Sequence, residues 1–226
     1  MKKTKPILVV SLLAIMWGQA QAVELNSHEQ KFSYAMGVRL SKMLTAQGVD
    51  KLDPAAFAAG VADAINGQPT QLTPEQVAEV MKAQQAVKQA AREEAGKAAL
   101  AEGQKFMEEN KGKPGVKTLE SGLQYQEITA GAGDSPKETD KVKVHYRGTL
   151  IDGKQFDSSY DRGQPATFGV KGVIPGFSEA LMLMKPGSKW KVFIPSELGY
   201  GARGAGSNIG PNETLIFDLE LLEIVK

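Results

Sequence analysis

The sequence contains no cysteine, so its stability cannot rest on disulfides, and thiol nucleophiles and thiolate metal ligands are excluded. Histidine is nearly as scarce, with only His28 and His145. His28 falls in a helix-start motif and His145 on the polar face of a strand pattern, so both read as solvated. With no G-x-S-x-G turn either, a histidine-based triad and a metal cluster are both unsupported. An excess of either charge is also missing: 27 basic residues stand against 26 acidic ones, and no strong field points to nucleic acid or an anionic membrane. The apolar run Ile7 to Trp17 is too short for a comfortable membrane span. It follows Lys2, Lys3 and Lys5 and precedes Ala20-Gln21-Ala22, the three-part pattern of a cleaved secretory signal peptide over residues 1–22. Cleavage moves the formal charge from +1 to −2 and leaves Val23, not a lipid-bearing cysteine, at the new terminus.

What is present begins with helices. Ser27 to Gln30 reads as a capping box, followed by an apolar stripe of Phe32, Met36, Leu40 and Met43/Leu44 that ends at Gly48. Asp53-Pro54 restarts a helix with Phe57, Val61 and Ile65 on one face, closed by Asn66-Gly67. Gly37 and Gly60 lie inside these helices, where close helix–helix approach is the physical reason to keep a glycine. So short a segment is marginal alone, so residues 23–70 are expected to form a dimerisation domain. Thr73 to Gln76 opens a second capping box. From there to about Lys111 only Gly96 and Gly103 interrupt a run of Ala, Glu, Lys, Gln and Arg, with Glu93 and Lys97 placed as an i,i+4 pair. Large apolar residues are sparse after Val87, so residues 71–114 are expected to be a long, solvated linker helix.

Lys113-Pro114-Gly115 ends the helical pattern, and alternation takes over. Leu123 to Gln126 opens a strand; Val142, Val144 and Tyr146 share one face of the next, and Asp152-Gly153 signals a hairpin turn. Pro175 starts a short helix carrying Phe177, Leu181 and Met184, apolar nearly all round and so expected to be covered on several sides. Trp190, Val192 and Ile194 alternate with lysines and Phe193 as in a half-buried strand, and Leu215, Phe217, Leu219 and Leu221 alternate to the C-terminus. The fold class is therefore α+β: an antiparallel sheet with one short helix over residues 115–226, preceded by an all-helical module and a long connecting helix. Gly199 to Gly204 spells G-x-G-x-x-G, but no helix can follow through Ser207 to Pro211, so the glycines read as a flexible flap. An aromatic set remains (Tyr146, Phe156, Phe168, Phe177, Tyr200 and Phe217), with Asp157-Ser158-Ser159 and Arg162 beside it. By spacing alone these are as consistent with a filled interior and a structural ion pair as with a site.

The segments VHYRGTLIDGKQFDSSYDRG (144–163), VIPGFSEAL (173–181), ELGYGARG (197–204) and IGPNETLIFDLELLEI (209–224) resemble the FKBP family of peptidyl-prolyl cis–trans isomerases. The signal peptide, helical module and long helix are similar to the macrophage infectivity potentiator type of bacterial FKBP, exported V-shaped dimers. The resemblance implies a five- or six-stranded antiparallel sheet curled around the short helix and an isomerase acting on proline-containing polypeptides in the folding of exported proteins. It implies no metal and no cofactor. The proline pocket would be lined by Tyr146, Phe156, Val173, Ile174, Tyr200 and Phe217, with Phe177 as floor, Ile209 as a flap contact and Phe168 as a supporting wall. The Ile174 N–H and Tyr200 hydroxyl would bond substrate carbonyls, and Asp157, steadied by Arg162 and Tyr146, would face the twisting imide. Phe177 stands where tryptophan is common, and Ala166 where many relatives carry an aromatic. The resemblance further implies a homodimer through the N-terminal helices, macrolide inhibitors of the FK506/rapamycin class, and a periplasmic location with outer-membrane or surface association as a variant. Residues 115–226 are expected to turn over short peptides alone. The competing reading is a non-catalytic periplasmic chaperone that uses the same pocket to hold proline-containing segments.

Overall fold

The computed structural model describes residues 23–49 and 51–225; the expected signal peptide lies outside them. The chain divides into two compact units, with the boundary between Leu52 and Asp53, and each is described by itself.

In the first unit, helix α1 (His28–Ala46) starts at Ser27, whose hydroxyl accepts from the Gln30 N–H while the Gln30 side chain accepts from the Ser27 N–H. It ends at Gly48, whose φ of 76° suits a residue without Cβ. No residue of α1 is buried; Phe32, Met36 and Met43 of the apolar stripe stand out in the open. In the second unit, α2 (Pro54–Ile65) is capped by Asp53 and α3 (Pro74–Asn110) by the Thr73–Gln76 box. Within its own unit, each of Gly37 and Gly60 has open space beside it.

The sheet has seven strands, more than the expected five or six, because three short segments join the long ones. These are β1 (Val116–Thr118), β2 (Gln124–Thr129), β3 (Lys141–Thr149), β4 (Gln155–Ser158), β5 (Ala166–Gly169), β6 (Lys189–Ile194) and β7 (Leu215–Val225). They run antiparallel in the order β1-β2-β6-β7-β3-β4, and β5 pairs with the other end of β3 from β4. Side chains alternate along a strand, so Val142, Val144 and Tyr146 of β3 and Leu215, Phe217, Leu219 and Leu221 of β7 all reach one interior. Helix α4 (Pro175–Leu183) fills it with Phe177, Ala180 and Leu181, followed by Met184. The helix is not wrapped on every side: Met182 and Leu183 remain exposed.

The last turns of α3 depart from the expected solvated linker. From Pro74 to Ala95 the side chains are exposed, but Gly96, Gly103 and Asn110 are buried. Gly103 lies against Thr214, where an added Cβ would fall 2.4 Å from Oγ1. Asn110 donates to Gln124 Oε1 at 2.9 Å, and Gln124 Nε2 donates to the Met107 carbonyl at 2.8 Å, so this buried amide pair is satisfied. Phe106 meets Phe193 with ring centroids 5.9 Å apart. Phe193 is therefore buried on the outer face of β6, and that strand is covered on both faces at this point rather than half-buried. The expected Glu93–Lys97 pair also does not form. Lys97 instead lies 3.7 Å from Glu94, and Glu93 accepts from Gln89.

Candidate active site

The site forms where β3 lacks a neighbour strand. β4 pairs with residues 147–149 of β3 and β5 with 141–144, leaving a gap opposite Tyr146. Ser159 closes it by donating its N–H to the Tyr146 carbonyl at 2.9 Å and accepting the Tyr146 N–H on Oγ at 2.8 Å. The crossover brings Asp157 level with the Tyr146 ring. His145 on the opposite face stacks on Tyr160 at 4.6 Å and meets Ser159 Oγ through Nδ1, so it is partnered rather than solvated.

Inside, a cavity of about 420 Å³ is lined by Tyr146, Phe156, Asp157, Phe168, Val173, Ile174, Phe177, Tyr200 and Phe217, joined by Gly172. Its aromatic rings meet edge to face: Phe177–Phe217 at 5.1 Å and 82°, Phe156–Phe217 at 5.5 Å and 83°, Tyr146–Phe177 at 6.0 Å and 85°, an arrangement that places positive ring edges on negative faces. Phe177, from the first turn of α4, is the plate at the bottom. Ile174 is the N-cap of the same helix, so its N–H stands outside the helical hydrogen-bond ladder. Pro175 at the first helical position makes that start possible.

A polar corner interrupts the apolar wall. The Tyr146 hydroxyl donates to Asp157 Oδ2 at 2.5 Å, Arg162 Nη1 donates to Asp157 Oδ1 at 2.5 Å, and Arg162 Nη2 donates to the Tyr146 oxygen at 2.7 Å. The Ser158 N–H adds a fourth bond, to Asp157 Oδ1 at 2.8 Å. Burial alone pushes the Asp157 carboxyl up, but the hydrogen bonds from Tyr146 and Arg162, the Arg162 charge and the Ser158 N–H outweigh it and hold the carboxyl below its ordinary value. Burial, then the bond to Asp157, raises the Tyr146 phenol, which keeps its proton. Asp157 is thus a carboxylate with both oxygens occupied, suited to orient and polarise rather than to accept a proton.

Ten of the eleven residues expected from sequence meet here, Arg162 through Asp157 rather than by lining the cavity. Ile209 does not line it; with Phe156, Asp157 and Tyr200 it borders an adjoining cleft of about 270 Å³ under the flap. Gly172 was missed, having no side chain to suggest it. Larger grooves of about 760 Å³ on α1 and 570 Å³ between α3 and the sheet gather neither the aromatic set nor the ion pair.

This combination, a half-sheet wrapped on one helix with an aromatic cavity and a carboxylate at its lip, defines a class of isomerase fold. Residues 133–222 match the family of FKBP-type peptidyl-prolyl cis-trans isomerases, and residues 29–126 match the domain found amino-terminal to it. The chain belongs to the FKBP-type peptidyl-prolyl cis–trans isomerases. It is 47% identical over 197 residues to the FKBP-type 22 kDa peptidyl-prolyl cis-trans isomerase of Escherichia coli, covering 87% of this chain and 96% of that one. It is 46% identical to the outer membrane protein MIP of Legionella longbeachae, over 91% and 89% of the two chains. Among solved structures, FkpA from Escherichia coli superposes with a TM-score of 0.64 at 40% identity, over 89% of this chain and 98% of that one. The protein is accordingly a peptidyl-prolyl isomerase. No helix among the described residues is long and apolar enough to cross a membrane.

Proposed function

We propose that catalysis is non-covalent and takes place in the aromatic cavity, on X–Pro bonds of exported polypeptides. The observation that carries this reading is the ion pair and phenol fixed at the lip of an otherwise apolar cavity. Rotation about the X–Pro bond is opposed by about 18–20 kcal/mol of amide resonance. The twisted imide is less dipolar than the planar one, so a pocket that strips water favours it. Lowering the barrier to about 13 kcal/mol gives on the order of 10³ turnovers per second. The roughly 6 kcal/mol needed is within reach of desolvation and preorganised polar groups. The proline ring sits on Phe177 between Tyr146, Phe156 and Phe217. The Ile174 N–H and Tyr200 hydroxyl hold the flanking carbonyls, and the Asp157 carboxylate faces the twisting imide. FK506- and rapamycin-class macrolides occupy the same cavity.

The apolar face of α1, bare in one chain, supports a homodimer through residues 23–70, and the leader pattern over residues 1–22 supports export to the periplasm. A protease-coupled proline-peptide assay tests the catalytic reading: Phe217→Ala and Asp157→Ala each lose most activity while remaining folded. Full activity in either, or no rate above background in the parent at micromolar protein, refutes it. The holding-only reading predicts the second result together with undiminished binding of proline peptides.

A further inference from the structure

The loop that carries Tyr200 and Ile209 is seated on the core through Ile209 and Ala205 and is tied to a second element behind it. Gly201, Gly204 and Gly206 sit at φ of 54°, 61° and 56°, and Asn212 at 57°, so its path depends on residues with wide conformational freedom. Its internal bonds are a reciprocal pair between Ala205 and Ile209, the Gly204 N–H shared between the Tyr200 and Gly201 carbonyls at 3.2 Å, and the Asn212 N–H to the Gly201 carbonyl at 2.8 Å. These close the loop on itself, and Ile209 seats it in the core below. A second attachment comes from behind, on one face of α3. Arg92 Nη2 donates to the Arg203 carbonyl at 2.5 Å, and Asn212 Nδ2 donates to the Gly96 carbonyl at 3.1 Å. At Gly96 the helix backbone meets Pro211 so closely that an added Cβ would fall 2.8 Å from the proline Cβ. Gly103 seats Thr214 at the loop's far end. Spacings of four and seven residues keep Arg92, Gly96 and Gly103 on one side of the helix.

We propose that α3 is a positioning element for substrate binding: through Arg92 and the Gly96 backbone it holds the 200–212 loop in the form that presents Tyr200 to the substrate cavity. The proposal rests on the cavity being the substrate site. It makes the long helix part of the isomerase unit rather than a spacer beside it. A loop released from α3 samples open forms, and apparent affinity falls in proportion to the fraction still in place. The Tyr146–Asp157–Arg162 corner and Phe217 are attached elsewhere and stay as they are, so the rate of the bound complex is preserved.

The test is the full chain with Arg92→Ala, alone and combined with Gly96→Ala, and with Arg92→Lys as the conservative variant. Alanine suits an exposed helical position, so folding is not at issue for the first. The expected result is a KM for a proline peptide raised roughly three- to tenfold with kcat little changed, faster hydrogen exchange at the Ala205 and Ile209 amides, and partial recovery of both in Arg92→Lys. An unchanged KM overturns the proposal, whether or not the loop amides exchange faster. So does a fall in kcat alone that tracks thermal stability, which describes a merely structural contact. Hydrogen exchange reads the anchoring without reference to activity, and an inactive parent protein counts against the catalytic reading instead.

Discussion

The two halves of α3 are built from nearly the same residues, yet one half is bare and the other is docked. From Pro74 to Ala91 the helix exposes Val77, Val80, Met81 and Val87, and no residue there is buried. From Arg92 to Asn110 it meets the sheet domain through the Arg92 guanidinium, two glycines, a phenylalanine and a buried asparagine. Apolar content does not separate the halves. Missing side chains do, because at Gly96 and Gly103 the helix backbone comes within van der Waals reach of the loop and of Thr214.

The largest effect is expected from filling the closer of the two approaches. Gly103→Leu forces atoms into the Thr214 contact, a strain of about 1–3 kcal/mol that outweighs the gain in helix propensity of roughly 1 kcal/mol. Ala86→Leu in the bare half stays within about 0.5 kcal/mol. Urea unfolding of both variants checks the contrast, and equal midpoints would mean the docked half contributes nothing. A second variant extends the comparison to α1, where Gly37 has open space in one chain and borders a groove with Tyr34, Val38 and Ser41. If that face is the dimer seam, Gly37→Ala weakens self-association by about tenfold, or roughly 1.4 kcal/mol. Sedimentation against concentration measures this. An unchanged association constant with up to about 1 kcal/mol of added stability marks a free face.

The smallest effect concerns the charge of the docked half. Burial, followed by repulsion from Asp152 and from Glu102 on α3, raises the Glu213 carboxyl above its ordinary value. The folded state then binds this proton more tightly than the unfolded chain. Stability on this account falls as pH rises from the ordinary glutamate range through the raised value, and the deficit is complete above it. Glu213→Gln is therefore slightly stabilising at neutral pH, with the gain vanishing in acid, as thermal unfolding at several pH values would register. A gain that persists unchanged in acid would point to packing instead.

Most of the sheet domain could be read from alternation, because residues such as Val144, Leu219 and Val192 have one face to choose and chose it. Both capping boxes appear as spelled. The site was legible for a different reason: its residues sit in motifs whose spacing alone gave only an aromatic interior, and the family resemblance supplied the rest. What stayed hidden depended on contacts between distant segments. Gly37 and Gly60 read as close-approach positions, whereas Gly96 and Gly103 read only as interruptions of the helical run, although their seven-residue spacing puts both on the face of Leu100 and Asn110 that docks. Phe193 carried the complementary signal, an aromatic on the lysine side of a strand, which only makes sense with a cover. Ile209, expected from the resemblance as a flap contact, borders the cleft under the flap beside Ala205 to Asn208.

Gly148 sits on β3 behind two of the cavity's aromatic walls. A Cβ there would lie 2.5 Å from the Phe156 ring and 2.8 Å from Phe217, so even alanine would displace both aromatic walls at once. The spacing of these two walls is therefore set by main chain. Changes of substrate taste are left to the floor at Phe177, the Ala166 edge and the loop held against α3.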